Sequence, residues 1–169
     1  MSVVEFNVTT EQHMLEFGAR LAGLVCDQCL VTLQGDLGAG KTTLVRGLLQ
    51  GAGYKGAVKS PTFSLVEPYD LNGCRIFHFD LYRLQDPEEL EYIGIRDYLD
   101  GSALCLVEWP EKAGSVLPVA DINIMIRKVN EGRSVRLETF TDRGQALFEQ
   151  LALASLEKLQ LATLSGNGK

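Results

Sequence analysis

The chain has 169 residues, a formal net charge of −6, and 46% hydrophobic against 22% charged residues. These values are typical of a single globular domain, and they argue against independent binding to nucleic acid, which depends on clustered Lys and Arg side chains. No apolar run approaches the ~20 residues of a membrane-spanning helix, and residues 1–8 lack the basic and apolar regions of a signal peptide. We therefore expect a cytoplasmic protein with one domain over residues 1–164 and a flexible tail over residues 165–169.

The first third of the chain alternates strand and helix patterns. Val3 to Val8 alternates as a short strand, and Thr10 is a suitable N-cap for an amphipathic helix over Glu11 to Val25. A buried strand is expected over Cys29 to Leu33, and a further helix over Thr42 to Gln50.

A complete phosphate-binding loop connects that strand to that helix. Gly35 to Thr42 reads Gly-Asp-Leu-Gly-Ala-Gly-Lys-Thr, which matches the pattern G-x-x-x-x-G-K-S/T at every position. Such a loop holds phosphates with backbone N–H groups and with the positive end of the helix that follows. We expect Lys41 to reach the β- and γ-phosphates and the Thr42 hydroxyl to bind Mg²⁺.

The middle of the chain introduces antiparallel pairing. Phe63 to Tyr69 and Arg75 to Phe79 have strand patterns, and they flank Asn72-Gly73, the strongest short-range signal for a hairpin. Two short helices and an apolar strand are then expected, over Asp86 to Tyr92, Ile95 to Leu99 and Ala103 to Val107.

The last part of the chain contains a second hairpin and a terminal helix. Ala120, Ile122, Ile124 and Ile126 alternate with more polar positions before the turn at residues 130–132, and a second alternating strand follows. A helix is expected over Arg143 to Leu164. Together these elements predict an α/β protein with a P-loop NTPase-like three-layer fold, in which helices flank a mixed sheet with a parallel core and antiparallel hairpins.

Three further side chains are candidates for chemistry at the site. Two of them end apolar strands, and the third precedes the first predicted hairpin. Asp80 and Glu108 each end a strand, where ligands of such sheets bind. Either carboxylate can hold the water shell of a metal while the other orients or deprotonates the attacking water, and the sequence leaves this assignment open. Thr62, within Ser60-Pro61-Thr62, is a candidate sensor of the γ-phosphate.

The cysteines indicate neither a metal site nor a redox centre. Cys26 and Cys29 form one C-x-x-C pair, whereas Cys74 and Cys105 stand apart, and the two histidines are not at zinc-ligand spacing. We expect buried free thiols in a reduced compartment.

Several activities fit a phosphate-binding loop. A nucleotide-hydrolysing switch, a small-molecule kinase and a scaffold that binds nucleotide only to stay folded are all open at this stage. A kinase requires a lid, for which residues 85–101 are the available segment. A GTPase is disfavoured because no Asn-Lys-x-Asp segment is present and Arg83 stands where a glycine would follow Asp80.

Four motifs in a fixed order carry a family resemblance. Gly-Asp-Leu-Gly-Ala-Gly-Lys-Thr-Thr, Ser-Pro-Thr-Phe, His-Phe-Asp-Leu-Tyr-Arg and Val-Glu-Trp-Pro-Glu together resemble the TsaE family, formerly YjeE, over nearly the whole chain. These are bacterial ATPases required for threonylcarbamoyladenosine at position 37 of tRNAs that read codons beginning with adenine. The resemblance implies ATP and Mg²⁺ as cofactors, and a protein that acts on a complex of TsaB and TsaD and meets tRNA only through that complex.

The resemblance also implies roles for individual residues. Lys41, Thr62, Asp80 and Glu108 support hydrolysis, and Thr42 and Glu108 organise Mg²⁺. Nucleotide contacts are implied for the loop and for two residues near adenine, namely Gly35, Asp36, Leu37, Gly38, Ala39, Gly40, Lys41, Thr42, Thr43, Thr10 and Arg133. Slow hydrolysis without partners is expected, because a free switch lacks the ordered arrangement that positions water.

Overall fold

A computed structural model of the protein describes residues 1–152. Within this range the strands are β1 (Val3–Val8), β2 (Leu30–Gln34), β3 (Val66–Leu71), β4 (Cys74–Asp80), β5 (Leu104–Glu108), β6 (Ile122–Val129) and β7 (Gly132–Thr139). The helices are α1 (Glu11–Arg20), α2 (Lys41–Gly51), α3 (Glu88–Tyr92), α4 (Ile95–Tyr98) and α5, which is helical over residues 142–152. None of the helices in the described part of the chain has the length and apolar character needed to cross a membrane.

The described strands form one mixed sheet in the order β1-β7-β6-β2-β5-β4-β3. The four central strands β6, β2, β5 and β4 are parallel to one another, and antiparallel strands complete both edges. The predicted fold class is therefore confirmed. β1 lies outside the parallel core and pairs antiparallel with β7 at the edge of the sheet. The β6–β7 hairpin occupies the positions next to β2, so the outer strand β7 is the edge that β1 can extend.

Alternating side chains divide the protein into three layers. Val31 and Leu33 of β2 are buried against α1, α2 and α5, whereas Leu30 belongs to a second apolar cluster with α3 and α4. This follows from the two-residue period of a strand, which points successive side chains to opposite faces. Burial of each large apolar side chain stabilises the fold by about 1.5–3 kcal/mol.

Helix α1 packs closely across α2, and this contact brings its N-terminal end to the phosphate-binding loop. A Cβ atom on Gly47 of α2 would lie 2.3 Å from the backbone oxygen of Leu15 in α1. Only glycine therefore permits this approach of the two backbones. At the other end, α1 stops at Arg20 and continues as a 3-10 turn over Leu21–Leu24, whereas the sequence predicted one helix to Val25. Tightening of this kind is common in the last turn of a helix.

The first hairpin begins later than predicted. Residues 62–64 form a turn, and the Leu65 amide donates to the Pro61 carbonyl at 2.9 Å before β3 starts at Val66. Leu65 has a positive φ of 62°, an uncommon conformation for a residue with a side chain. The segment around Thr62 is thus a compact turn beside the sheet rather than a part of the strand.

The expectation of free thiols is wrong for two of the four cysteines. Cys26 and Cys74 form a disulfide between residues 48 positions apart, with a Cα–Cα distance of 5.0 Å. The Asn72-Gly73 turn brings Cys74 to the chain that follows α1, a contact that sequence spacing does not reveal. Cys29 and Cys105 are free and buried as predicted, and burial raises the pKa of both thiols to about 12.

The predicted terminal helix is confirmed where it is described. Residues 142–152 are helical, and residues 153–164 of the predicted helix lie outside the described residues. The predicted end of the domain at residue 164 and the tail over 165–169 also lie outside them and stay predictions.

Candidate nucleotide-binding site

The phosphate-binding loop joins the carboxyl end of β2 to the first turn of α2. Gly35 has a φ of 146°, and a Cβ atom there would lie 2.4 Å from the Ile126 carbonyl oxygen, so a side chain would displace the loop from β6. Gly40 precedes α2 without a side-chain cap. The first N–H groups of the helix, which have no partner within it, are thus available to an anion.

Lys41 is held inside the loop, with only 4% of the residue exposed. Its Nζ atom donates to the carbonyl oxygens of Gly35 at 2.6 Å and Asp36 at 3.0 Å, and it lies 3.9 Å from the centre of the Trp109 ring. Burial lowers the pKa of the Lys41 ammonium, while the nearby Glu108 and other carboxylates oppose that shift. The ammonium is therefore surrounded by dipoles and a ring face that stabilise a positive charge.

Thr42 and Glu108 are joined directly. The Thr42 hydroxyl donates to Glu108 Oε1 at 2.8 Å, and His78 Nε2 lies 2.8 Å from the same oxygen. Among the described residues there is no cluster of three His, Cys, Asp or Glu side chains able to hold a metal. Magnesium at nucleotide sites binds through one or two protein oxygens together with phosphates and water. The hydroxyl and carboxylate of Thr42 and Glu108 fit that donor set.

Asp80 lies beside Glu108, since the two residues are partners in register on β4 and β5. One oxygen of Asp80 accepts the Ser60 hydroxyl and the other accepts the Tyr82 amide at 3.0 Å. The Thr62 hydroxyl donates to the Ser60 carbonyl at 3.3 Å. Ser60 thus connects the Thr62 turn to Asp80, a role that sequence reasoning missed although Ser60 belongs to the Ser-Pro-Thr motif.

These side chains surround one cleft of about 370 Å³, which we call the phosphate cleft. It is lined by Leu37, Gly38, Gly40, Lys41, Thr42, Thr43, Ser60, Thr62, Asp80, Tyr82, Arg83, Glu108 and Trp109. All of the predicted catalytic and metal-binding side chains are therefore brought together. Sequence reasoning missed Tyr82 as a wall of the cleft, where its ring packs 5.0 Å from that of Trp109.

A second cleft of about 290 Å³, the nucleoside cleft, lies on the other side of the loop. It is lined by Val8, Thr9, Thr10, Glu11, Met14, Gly38, Ala39, Gly40, Thr43, Gly132 and Arg133. Three of these residues, Gly38, Gly40 and Thr43, line both clefts, so the two clefts adjoin along the loop. Gly35 and Asp36 line neither cleft and instead hold Lys41.

The structure places both residues implied near adenine in the nucleoside cleft. Thr10 is the N-cap of α1, as predicted, and accepts a hydrogen bond from the His13 amide at 3.1 Å. Arg133 donates to the carbonyl oxygens of Ala39 at 3.1 Å and Gly38 at 3.4 Å. The Arg133 guanidinium is therefore bound to the backbone of the phosphate-binding loop as well as lining the cleft.

The chain is similar to known proteins of one family. The family described as "Threonylcarbamoyl adenosine biosynthesis protein TsaE" matches residues 8–135. The tRNA threonylcarbamoyladenosine biosynthesis protein TsaE of Haemophilus influenzae is 49% identical over 143 residues, which are 82% of this chain and 90% of that protein. Its namesake from Bacillus subtilis is 36% identical over 124 residues, 73% of this chain and 77% of that protein.

The fold has a solved counterpart as well. The crystal structure of Bacillus subtilis YdiB superimposes with a TM-score of 0.77 and 25% sequence identity, over 91% of this chain and 97% of that one. The match of 128 consecutive residues to one family, with relatives that cover most of the chain, agrees with the four motifs around the clefts. This chain belongs to the TsaE family.

Proposed function

We propose that this protein binds and slowly hydrolyses ATP, and that it acts as a nucleotide switch in the formation of threonylcarbamoyladenosine at position 37 of tRNAs. The observation that carries the proposal is the convergence of Lys41, Thr42, Thr62, Asp80 and Glu108 on one cleft at the start of α2. The names of the relatives, which are tRNA threonylcarbamoyladenosine biosynthesis proteins, supply the pathway.

Binding of the triphosphate is assigned to the loop and to Lys41. The uncapped first turn of α2 offers backbone N–H groups to the phosphates, and the helix dipole favours a negative charge there. The Lys41 ammonium already lies among oxygen acceptors, and on nucleotide binding it would exchange the Gly35 and Asp36 carbonyls for phosphate oxygens. Thr10 and Arg133, which line the nucleoside cleft, would hold the base and sugar.

Magnesium would be held by Thr42 together with Glu108, whose carboxylate accepts the Thr42 hydroxyl. When bound, the ion neutralises charge that develops on the transferred phosphoryl group. Glu108 is the better placed carboxylate for the metal's water shell because it is joined directly to Thr42. Asp80, which is joined to the Ser60 hydroxyl instead, is then assigned to the attacking water.

The Ser60–Thr62 turn is the proposed moving part. It contacts Asp80 through Ser60, and its neighbour Phe63 is 88% exposed on the surface with the Arg83 guanidinium 4.5 Å from the ring centre. A change at the γ-phosphate can thus alter an exposed surface through one short segment. We propose that TsaB and TsaD are the partners that bind this surface. The net charge of −6 supports the view that these partners, rather than this protein, contact tRNA.

The small-molecule kinase is the weaker alternative. A kinase lid would have to come from residues 85–101, but Leu90 and Ile95 in that segment are buried in the second apolar cluster, with 0% and 1% of each residue exposed. A segment packed in this way does not open and close over a substrate without breaking the core. The packing therefore favours hydrolysis over transfer to a small molecule.

The test compares ATP hydrolysis by the wild-type protein and by Lys41→Ala, with and without TsaB, TsaD and tRNA. We expect slow hydrolysis alone, stimulation by the partners, and loss of both hydrolysis and tRNA modification in the variant. Circular dichroism checks that the variant is folded. Modification at the wild-type level by folded Lys41→Ala would refute the proposal, as would phosphorylation of a metabolite at the expense of ATP.

A further inference from the structure

His78 is a buried histidine bonded to Glu108, a residue that lines the phosphate cleft. It lies on β4 two residues before Asp80, so its ring projects from the same face of the sheet as the Asp80 carboxylate. The residue is 0% exposed. It belongs to no cluster of three His, Cys, Asp or Glu side chains that could hold a metal among the described residues. Neither phosphate binding nor the proposed hydrolysis uses His78 directly.

The hydrogen bonds of His78 determine where its ring proton lies. Nε2 is 2.8 Å from Glu108 Oε1, whereas Nδ1 is the buried side-chain polar atom of the described residues that has no hydrogen-bond partner. A proton on Nδ1 alone would leave a buried N–H unsatisfied and would place the lone pair of Nε2 against a carboxylate oxygen. The arrangement therefore requires a proton on Nε2, which donates to Glu108.

The two bonds to Glu108 converge on a single oxygen. Oε1 accepts both the Thr42 hydroxyl and the His78 N–H, each at 2.8 Å. Oε2 accepts no hydrogen bond from the described residues, and Glu108 lines the phosphate cleft. With one oxygen held from two directions, the carboxylate cannot rotate freely, and Oε2 is the oxygen left for a metal-bound water.

We propose that His78 is a positioning residue that orients Glu108 toward the magnesium site, an inference that rests on the function proposed above. It acts through Glu108 and touches neither nucleotide nor metal. Hydrogen bonds to a metal's ligand from residues outside the coordination sphere fix the direction of that ligand, and their loss typically costs 10–100-fold in metal affinity or activity. A histidine serves well because its rigid ring spans the distance from β4 to the carboxylate without a flexible linker.

The experiment uses two substitutions of different chemistry. His78→Leu removes the donor at a similar volume, and His78→Gln places an amide N–H near the position of Nε2. The half-saturating Mg²⁺ concentration for ADP binding, measured by calorimetry, is expected to rise 10–100-fold in His78→Leu and less than threefold in His78→Gln. ADP binding without Mg²⁺ is expected to be unchanged in both variants.

A matched control separates orientation from general loss of stability. Thr32→Val also removes a buried hydrogen bond between neighbouring strands, the 2.9 Å bond from Thr32 to Asn123, but lies away from both clefts. It is expected to keep the wild-type Mg²⁺ dependence. Equal Mg²⁺ dependence in folded His78→Leu and wild type would overturn the inference, as would a His78→Gln variant that is as impaired as His78→Leu.

A measurement on the wild-type protein tests the inference even if His78→Leu does not fold. Nitrogen-15 NMR of the imidazole distinguishes the two tautomers, and we expect the proton on Nε2. An Nδ1–H tautomer would overturn the inference. Absence of any Mg²⁺-dependent ADP binding in the wild type would instead refute the proposed function itself, so the two failures are distinguishable.

Discussion

The two clefts beside the phosphate-binding loop are built in different ways. The phosphate cleft contains buried charged side chains, Lys41, Glu108 and Asp80, and each of them is held by hydrogen bonds to neighbouring groups. Many residues that line the nucleoside cleft are small, such as Gly132 and Ala39, and others, such as Thr9 and Thr10, are exposed residues just before α1. The first requires particular functional groups, whereas the second requires mainly a shape.

This difference predicts how the two clefts respond to substitution. Removing a functional group from the phosphate cleft is expected to change catalysis, because the remaining buried partners are left unsatisfied. Removing a side chain from the nucleoside cleft is expected to change nucleotide affinity modestly, except at Arg133, whose side chain holds the backbone of the loop. Four predictions test the contrast, from the largest expected effect to the smallest.

The largest effects are expected for the two carboxylates. Asp80→Asn removes the group assigned to the attacking water, and loss of a general base typically lowers kcat by about 10²–10⁴-fold. Glu108→Gln is expected to lower kcat similarly and also to abolish the Mg²⁺ dependence of ADP binding, which Asp80→Asn should retain. Single-turnover hydrolysis and calorimetry measure the two quantities. If the Mg²⁺ dependence were lost in Asp80→Asn and kept in Glu108→Gln, the assignment of the carboxylates would have to be exchanged.

Removal of the disulfide tests whether ADP affinity and kcat depend only on residues in the two clefts. The disulfide closes a loop between residues 48 positions apart, and the entropy removed from the unfolded chain corresponds to about 4 kcal/mol of stability. We expect the double variant Cys26→Ala/Cys74→Ala to lose stability of this size in urea unfolding, with unchanged ADP affinity and kcat, since neither cysteine lines a cleft. The control is dithiothreitol, in which wild type and variant should differ far less. A tenfold change in affinity would show that the clefts depend on this distant link.

Among the side chains of the nucleoside cleft, Arg133 is the one whose removal is expected to weaken ADP binding most. Its hydrogen bonds to the Ala39 and Gly38 carbonyls hold the loop, and charged hydrogen bonds contribute about 1.5–3 kcal/mol. We expect Arg133→Ala to weaken ADP binding by roughly 10–100-fold, with its Mg²⁺ dependence retained. Arg133→Lys, which keeps the charge but not the paired donors, should recover only part of the loss. An unchanged affinity in Arg133→Ala would mean that the loop holds its shape without this contact.

The contrast between the two clefts also explains which residues of the site could be predicted from the sequence. The phosphate-binding loop, Asp80 and Glu108 were found from the residues themselves, because phosphate and metal chemistry demand particular groups at strand ends. Thr10 and Arg133 were implied only by the family resemblance, since the residues that line the nucleoside cleft form no motif in the sequence. The roles of Ser60 and His78 were missed because each depends on a contact with a residue of another segment, Asp80 and Glu108 respectively.

In the fold, local patterns predicted most elements and long-range contacts did not follow from them. Both hairpins were predicted from turn residues and alternation, and the parallel core from the order of strands and helices. The antiparallel pairing of β1 with β7 and the Cys26–Cys74 bond were not, because each joins segments far apart in the chain. No local pattern encodes which distant edge or thiol a segment meets.

Of the four predictions, the smallest effect is expected for Thr10→Ala. This substitution tests directly whether a side chain of the nucleoside cleft recognises the nucleoside. The Thr10 hydroxyl caps α1 by accepting the His13 amide, and loss of such a cap typically costs about 1 kcal/mol. We expect Thr10→Ala to lower Tm by about 2–4 °C while ADP affinity changes less than about threefold. Thr9→Ala is the matched control, because Thr9 lines the same cleft and bonds only the exposed His13 ring, so its stability should change less. A tenfold loss of ADP affinity in Thr10→Ala with little loss of stability would mean that this hydroxyl, and not the backbone, recognises the nucleoside, and the contrast between the two clefts would then fail.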